Sequence, residues 1–141
     1  PADRQRLIAE PELIPSAAEE FMRHETPVQA MVRYPLRDVE LRGRTLLRGE
    51  AVELVWASAN RDAAAFTDAD RCVVDRSPNK HLVFGVGIHK CIGMPLAQLE
   101  LRVALEELLL RTSSIHLAGQ VVRTSWPRWG VSSLPLGLDR A

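Results

Sequence analysis

Ten residues constrain this chain more than any other stretch. Phe84-Gly85-Val86-Gly87-Ile88-His89-Lys90-Cys91-Ile92-Gly93 sets three glycines, a histidine and a cysteine between an apolar run (His81 to Phe84) and a helical pattern that begins near Met94. Glycines this dense admit backbone angles with φ > 0 and let the main chain approach a flat object closely. Cys91 lies just ahead of the helix, where unpaired N–H groups and the positive end of the macrodipole favour thiolate over thiol. By residue type alone, a lone cysteine among apolar neighbours is a small buried hydrophobe. A thiolate on a glycine loop, with a basic side chain two residues away, also suits the axial ligand of a haem iron.

The rest of the chain bounds the fold class. Its 141 residues suit one compact domain over 1–141 with a modest core. Eighteen basic and eighteen acidic side chains cancel, so neither nucleic acid nor an anionic membrane is expected as main partner. No apolar run reaches the roughly 18 residues that span a bilayer, and Pro1-Ala-Asp-Arg-Gln-Arg6 reads as neither signal peptide nor anchor. Cys72 and Cys91, with no C-x-x-C, fit a reducing cytosol. The absent initiator Met reads as a processed or partial product.

Residues 2–10 read as a short helix ending at Pro11. Ser16, with Glu19 three residues on, forms a capping-box pattern that opens a helix over about 17–24, stopped by Pro27. Glu20 and Arg23 share one face of it. Residues 28–56 alternate with period two and predict strands near 29–34, 37–41, 44–48 and 51–56, turning at Gly43 and Gly49. From Met94 to Arg111 a long helix is expected, with Pro95 in its first turn and apolar residues on more than one side. Short strands follow at Ile115–Leu117, Val121–Arg123 and Leu134–Leu138, with Trp126-Pro127 and Trp129-Gly130 at turns. The architecture expected is α+β and mainly helical.

The full string Phe-Gly-x-Gly-x-His-x-Cys-x-Gly resembles the haem-binding loop of cytochromes P450 at every defining position. The chain as a whole resembles the C-terminal part of a bacterial member of that family. Glu20-x-x-Arg23 is similar to the family's Glu-x-x-Arg helix, and Asn60-Arg61-Asp62…Phe66-x-Asp68 to the run that precedes the loop. Ala63 and Ala69 stand where prolines are usual, and Cys72 where an aromatic is common. Gly130 to Leu136 resembles the terminal β-hairpin. The small antiparallel sheet and the long helix on the proximal side of the haem match the same pattern.

The resemblance implies haem b (iron protoporphyrin IX) as cofactor, with Cys91 as its axial thiolate. Such a thiolate gives electron density to the iron and favours O–O cleavage on the opposite face. It implies that Phe84 shields the sulfur, that Gly85, Gly87 and Gly93 shape the loop, and that His89, His81 and Arg33 are candidates for the haem propionates. By residue type alone, Arg33 is a solvated edge-strand arginine and His89 a partly exposed loop histidine. Arg76 falls where a third member would join Glu20 and Arg23 in a buried triad. A buried ion cluster of this kind is costly unless well satisfied, so a fold-specifying role is expected. Lys80, Lys90 and Arg102 are a candidate basic patch for a ferredoxin- or flavodoxin-like electron donor, or plain surface charge.

Three functional classes follow. One is a cytoplasmic haem-thiolate monooxygenase acting on a small organic substrate. The second is a non-catalytic haem-binding module or remnant. The third is a zinc site from Cys72, His81, His89 and Cys91, disfavoured because two-residue ligand knuckles are missing. The chain has no Ala-Gly-x-(Asp/Glu)-Thr string, the family's distal proton-delivery helix. Alone it is expected not to turn over, and to expose apolar surface on the 95–110 helix.

Overall fold

The computed structural model describes residues 2–124 and 128–141. The expected turn at Trp126-Pro127 lies outside them. Helix α1 (Ala2–Ala9) passes through a 3-10 turn at Pro11–Leu13 into α2 (Ile14–Glu25). Helix α2 begins three residues earlier than its capping pattern implies. Leu13, not Ser16, takes the N-cap position, with Pro15 in the first turn, and no side chain caps the N-terminus. The fixed φ of proline suits the first turn, and Glu19 is occupied elsewhere. Thr26 closes the helix in the left-handed region (φ 40°), its N–H bonding Met22 O at 2.8 Å.

Residues 31–54 form two separate antiparallel ladders rather than one sheet. β1 (Met31–Arg33) pairs with β4 (Val52–Leu54), and β2 (Val39–Leu41) with β3 (Arg44–Leu46). The second pair closes on Arg42 (φ 48°) and Gly43 (φ 77°), a two-residue turn with both angles positive, which matches the twist of the strands. A short helix α3 (Trp56–Ala59) and a long irregular stretch lead to α4 (Met94–Arg111).

The chain then folds into two further ladders. β5 (Thr112–Leu117) pairs with the last strand β8 (Leu136–Arg140), and between them β6 (Val122–Arg123) pairs with β7 (Val131–Ser133). Sequence periodicity missed β7, whose short Val-Ser-Ser run carries little apolar signal. Leu134 and Pro135 link β7 to β8 instead of opening a strand. The stretch expected as a terminal hairpin is thus split: β7 turns back on β6, while β8 returns to β5. Trp129 N–H bonds Pro27 O at 2.7 Å, tying this region to the end of α2.

The core is small. Leu7, Ile14, Ala17 and Val74 form its buried centre, with Leu13, Phe21, Leu105 and Leu109 packed against it. Helix α4 packs against α1 and α2, yet none of its residues is fully buried. Leu96, Leu99, Val103 and Leu110 face solvent, as expected of this helix in the chain alone, because α1 and α2 cover one side only.

Candidate haem-binding site

Beneath the loop lies a buried ion cluster. Glu20 and Arg23 are both 0% exposed, and Arg23 donates from Nε to Glu20 Oε2 at 2.7 Å and from Nη2 to Oε1 at 2.9 Å. Arg76 Nε adds bonds at 3.1 and 3.0 Å to the same two oxygens. Val73 N–H and Asn79 Nδ2–H donate two more bonds, at 2.8 Å to Oε1 and 3.2 Å to Oε2. The remaining guanidinium protons go to main-chain carbonyls: Arg23 to Asn60, Ala69 and Arg71, and Arg76 to Thr67. Both guanidinium planes lie over the Phe66 ring, at 5.2 and 5.9 Å.

Burial by itself raises the Glu20 carboxyl. The bonds from Arg23, Val73 N–H and Arg76 outweigh it and hold the group below the usual carboxylate range. The cluster therefore fastens the irregular stretch 60–79 to α2. It touches no exposed surface where a substrate could react.

Asn60 links this cluster to the loop. It is fully buried; its Nδ2 donates to Thr26 Oγ1 at 2.9 Å and its Oδ1 accepts Leu82 N–H at 2.7 Å. Sequence reasoning saw Asn60 only as part of a run. Its flanking residues Ser58, Ala59 and Arg61 are exposed or half-buried, so no local pattern marked Asn60 as buried.

The loop closes on itself. Cys91 N–H bonds Phe84 O at 2.8 Å, and Gly85 N–H bonds Leu82 O at 2.9 Å. Gly85 and Gly87 take φ of 66° and 68°, angles that cost an L side chain strain. A 3-10 turn spans Gly87–His89, and Gly93 leads directly into α4. A Cβ added at Gly93 would lie 3.8 Å from Cys91 Sγ, at ordinary van der Waals contact. Cys91 and His89 are exposed, and Ile88 and Ile92 are 97% and 99% exposed.

A bare thiol beside two bare isoleucines on a glycine-shaped rim fits a flat, largely apolar group with a soft metal at its centre. Phe84 is half-buried, its ring 6.0 Å from that of His81. Cys72 is not part of this surface; burial, then the Glu20 charge, pushes its thiol up. Among the described residues no group of three or more His, Cys, Asp or Glu side chains is arranged to hold a metal ion. Cys72, His81, His89 and Cys91 therefore do not make the zinc site weighed from the sequence.

Other sequence candidates fall in varied places. Arg33 sits on β1 and bonds Val32 O at 2.9 Å. His81 faces inward, with a side chain 5% exposed and Nε2 2.8 Å from Glu19 Oε2. It is engaged by a carboxylate, which counts against the propionate role. Lys80 and Lys90 are exposed, whereas Arg102 pairs with Glu106 at 3.6 Å along α4. No helix among the described residues is long and apolar enough to cross a membrane.

Fold and site define a scaffold that offers one cysteine sulfur at the mouth of a glycine loop, backed by a buried Glu-Arg-Arg cluster. The family model for cytochrome P450 matches residues 3–138. The mycinamicin IV hydroxylase/epoxidase of Micromonospora griseorubida is 48% identical over 98% of this chain and 35% of its own length. The steroid C26-monooxygenase of Mycolicibacterium smegmatis is 42% identical over 79% of the chain and 28% of its own length. The solved structure of substrate-free CYP109E1 from Bacillus megaterium superposes with a TM-score of 0.95 at 38% identity, covering 99% of this chain and 37% of that one. This chain belongs to the cytochrome P450 family. It spans about a third of the length of the relatives it matches.

Proposed function

We propose that the chain is the proximal, haem-holding part of a haem-thiolate monooxygenase. The observation that carries this reading is the exposed Cys91, at the head of a loop closed by the bond from its own N–H to Phe84 O. Haem b, bound there, would supply oxygen activation driven by thiolate electron density. The chain's own residues hold, shield and orient. Cys91 gives the axial sulfur, and Phe84 flanks it against water. Gly85, Gly87 and Gly93 let the main chain lie close to a planar ring, and the N–H groups at the start of α4 moderate the basicity of the sulfur. His89, and Arg33 by resemblance, hold propionates through charge-assisted hydrogen bonds.

The names of the relatives, a hydroxylase/epoxidase and a monooxygenase, support insertion of one oxygen atom from O2 into a small organic substrate. Electrons would come from a ferredoxin- or flavodoxin-like donor in the cytoplasm, docking near Lys80 and Lys90. The chain has no Ala-Gly-x-(Asp/Glu)-Thr string, so by itself it should not turn over.

The test is a spectrum of the reduced, CO-treated holoprotein. The wild type should show the red-shifted Soret band of thiolate ligation, and Cys91→Ala should lose it. Survival of that band in Cys91→Ala would overturn the reading.

A further inference from the structure

One carboxylate grips both ends of the Cys91 loop. Glu19, on α2, accepts His81 Nε2–H at 2.8 Å on Oε2 and Gln98 Nε2–H at 2.7 Å on Oε1. His81 stands three residues before Phe84, whose carbonyl closes the loop. Gln98 lies in the second turn of α4, the helix that leaves it. The two partners are seventeen residues apart in sequence yet meet one side chain, so residues 82–97 are closed into a ring by a pair of charge-assisted bonds. Val83 N–H lies 3.4 Å from His81 Nδ1, an arrangement that favours the tautomer with its proton on Nε2, facing Glu19.

We infer that Glu19 is a positioning residue for the haem ligand, setting the stance of Cys91 by holding His81 and Gln98 at a fixed separation. The inference rests on the haem-thiolate reading above. Glu20, its neighbour in sequence, is turned inward to the two arginines and has no lone pair directed at either flank. The adjacent carboxylates thus divide the work. Glu20 fastens the stretch before the loop, and Glu19 fixes the loop's two stems relative to each other. With Glu19 removed, His81 and Gln98 each lose an anionic acceptor, and the side-chain bridge between the two stems is gone.

The experiment uses the holoprotein and the variants Glu19→Ala, Gln98→Leu and Glu19→Ala/Gln98→Leu. Readouts are the fraction of the reduced CO complex with the red-shifted Soret band and the rate of haem release. Leu7→Ala, a core truncation remote from the loop, serves as a variant of lowered thermal stability. Glu19→Ala should speed haem release about tenfold, the worth of a hydrogen bond to a charged group, and lower the red-shifted fraction. Gln98→Leu should do the same more weakly, and add nothing once Glu19 is alanine. Leu7→Ala should lower the melting temperature and leave the band in place. If Glu19→Ala leaves both readouts unchanged while the wild type shows the band, the positioning role is wrong and the haem-thiolate reading stands. If Glu19→Ala and Leu7→Ala, matched in melting temperature, move the band equally, the role is merely structural and the inference fails. A wild type without the band would overturn both.

Discussion

Arg23 meets Glu20 side-on, with two parallel N–H···O bonds of 2.7 and 2.9 Å, and neither side chain touches solvent. Fork-on-fork geometry of this kind gives direction as well as energy. Every remaining N–H on that guanidinium meets a carbonyl, so the charge is buried without being stranded.

Truncating Arg23 would take two bonds from the Glu20 carboxylate and a donor from each of the Asn60, Ala69 and Arg71 carbonyls. Arg23→Ala should cost about 3–5 kcal/mol, typical of breaking a buried ion pair. Denaturant unfolding of the holoprotein would show it as a lower midpoint, and an unchanged midpoint would contradict the assignment.

The same cluster predicts a pH dependence. Glu20 is held below its ordinary value, so the folded form binds fewer protons than the unfolded one and stability rises with pH across that range. The contribution is complete above the unfolded carboxylate pKa of about 4.3. It fades as pH falls through the folded value. The melting temperatures of wild type and Glu20→Gln should therefore differ most near neutrality and converge under acid. Parallel curves down to the acid limit would refute it.

Asn60→Ala should cost about 1–3 kcal/mol, because Leu82 N–H is left buried without a partner. It should also quicken haem release, since Leu82 begins the loop. Measured stability loss with unaltered release would separate Asn60 from the site.

The two cysteines should differ in chemistry. Burial and the Glu20 charge disfavour the Cys72 thiolate, whereas Cys91 is exposed. Iodoacetamide should label Cys91 first in haem-free protein, and haem should protect Cys91 alone. Peptide mapping reads the order directly.

If Arg33 and His89 hold propionates, Arg33→Ala and His89→Ala should each weaken haem retention roughly tenfold without moving the Soret band of whatever haem remains. A shifted band would place them nearer the sulfur than proposed here.

Much of this site was legible because its chemistry is local. The string from Phe84 to Gly93 closes through its own Cys91 N–H to Phe84 O bond, and its positive φ values fall on glycines 85 and 87 as the spacing demands. Glu20 and Arg23 are one helical turn apart, so their pairing also reads directly. What escaped depended on distance. Glu19 looked like half of a capping box, and nothing along the chain showed that residues 81 and 98 would converge on it. His81 looked available to a cofactor for the same reason. The strand β7 escaped because Ser132 and Ser133 have no apolar alternation, and their pairing with β6 comes from tertiary placement.

Helix α4 has eighteen residues, none fully covered, and leucines on several sides. If the chain serves as the haem-holding part of a longer monooxygenase, as proposed, a mutational scan of that protein would read strangely against this segment's solvent accessibility. Leu96, Leu99, Val103 and Leu110 should then reject polar replacements as firmly as core positions. Tolerance to substitution along this helix would map whatever packs on it.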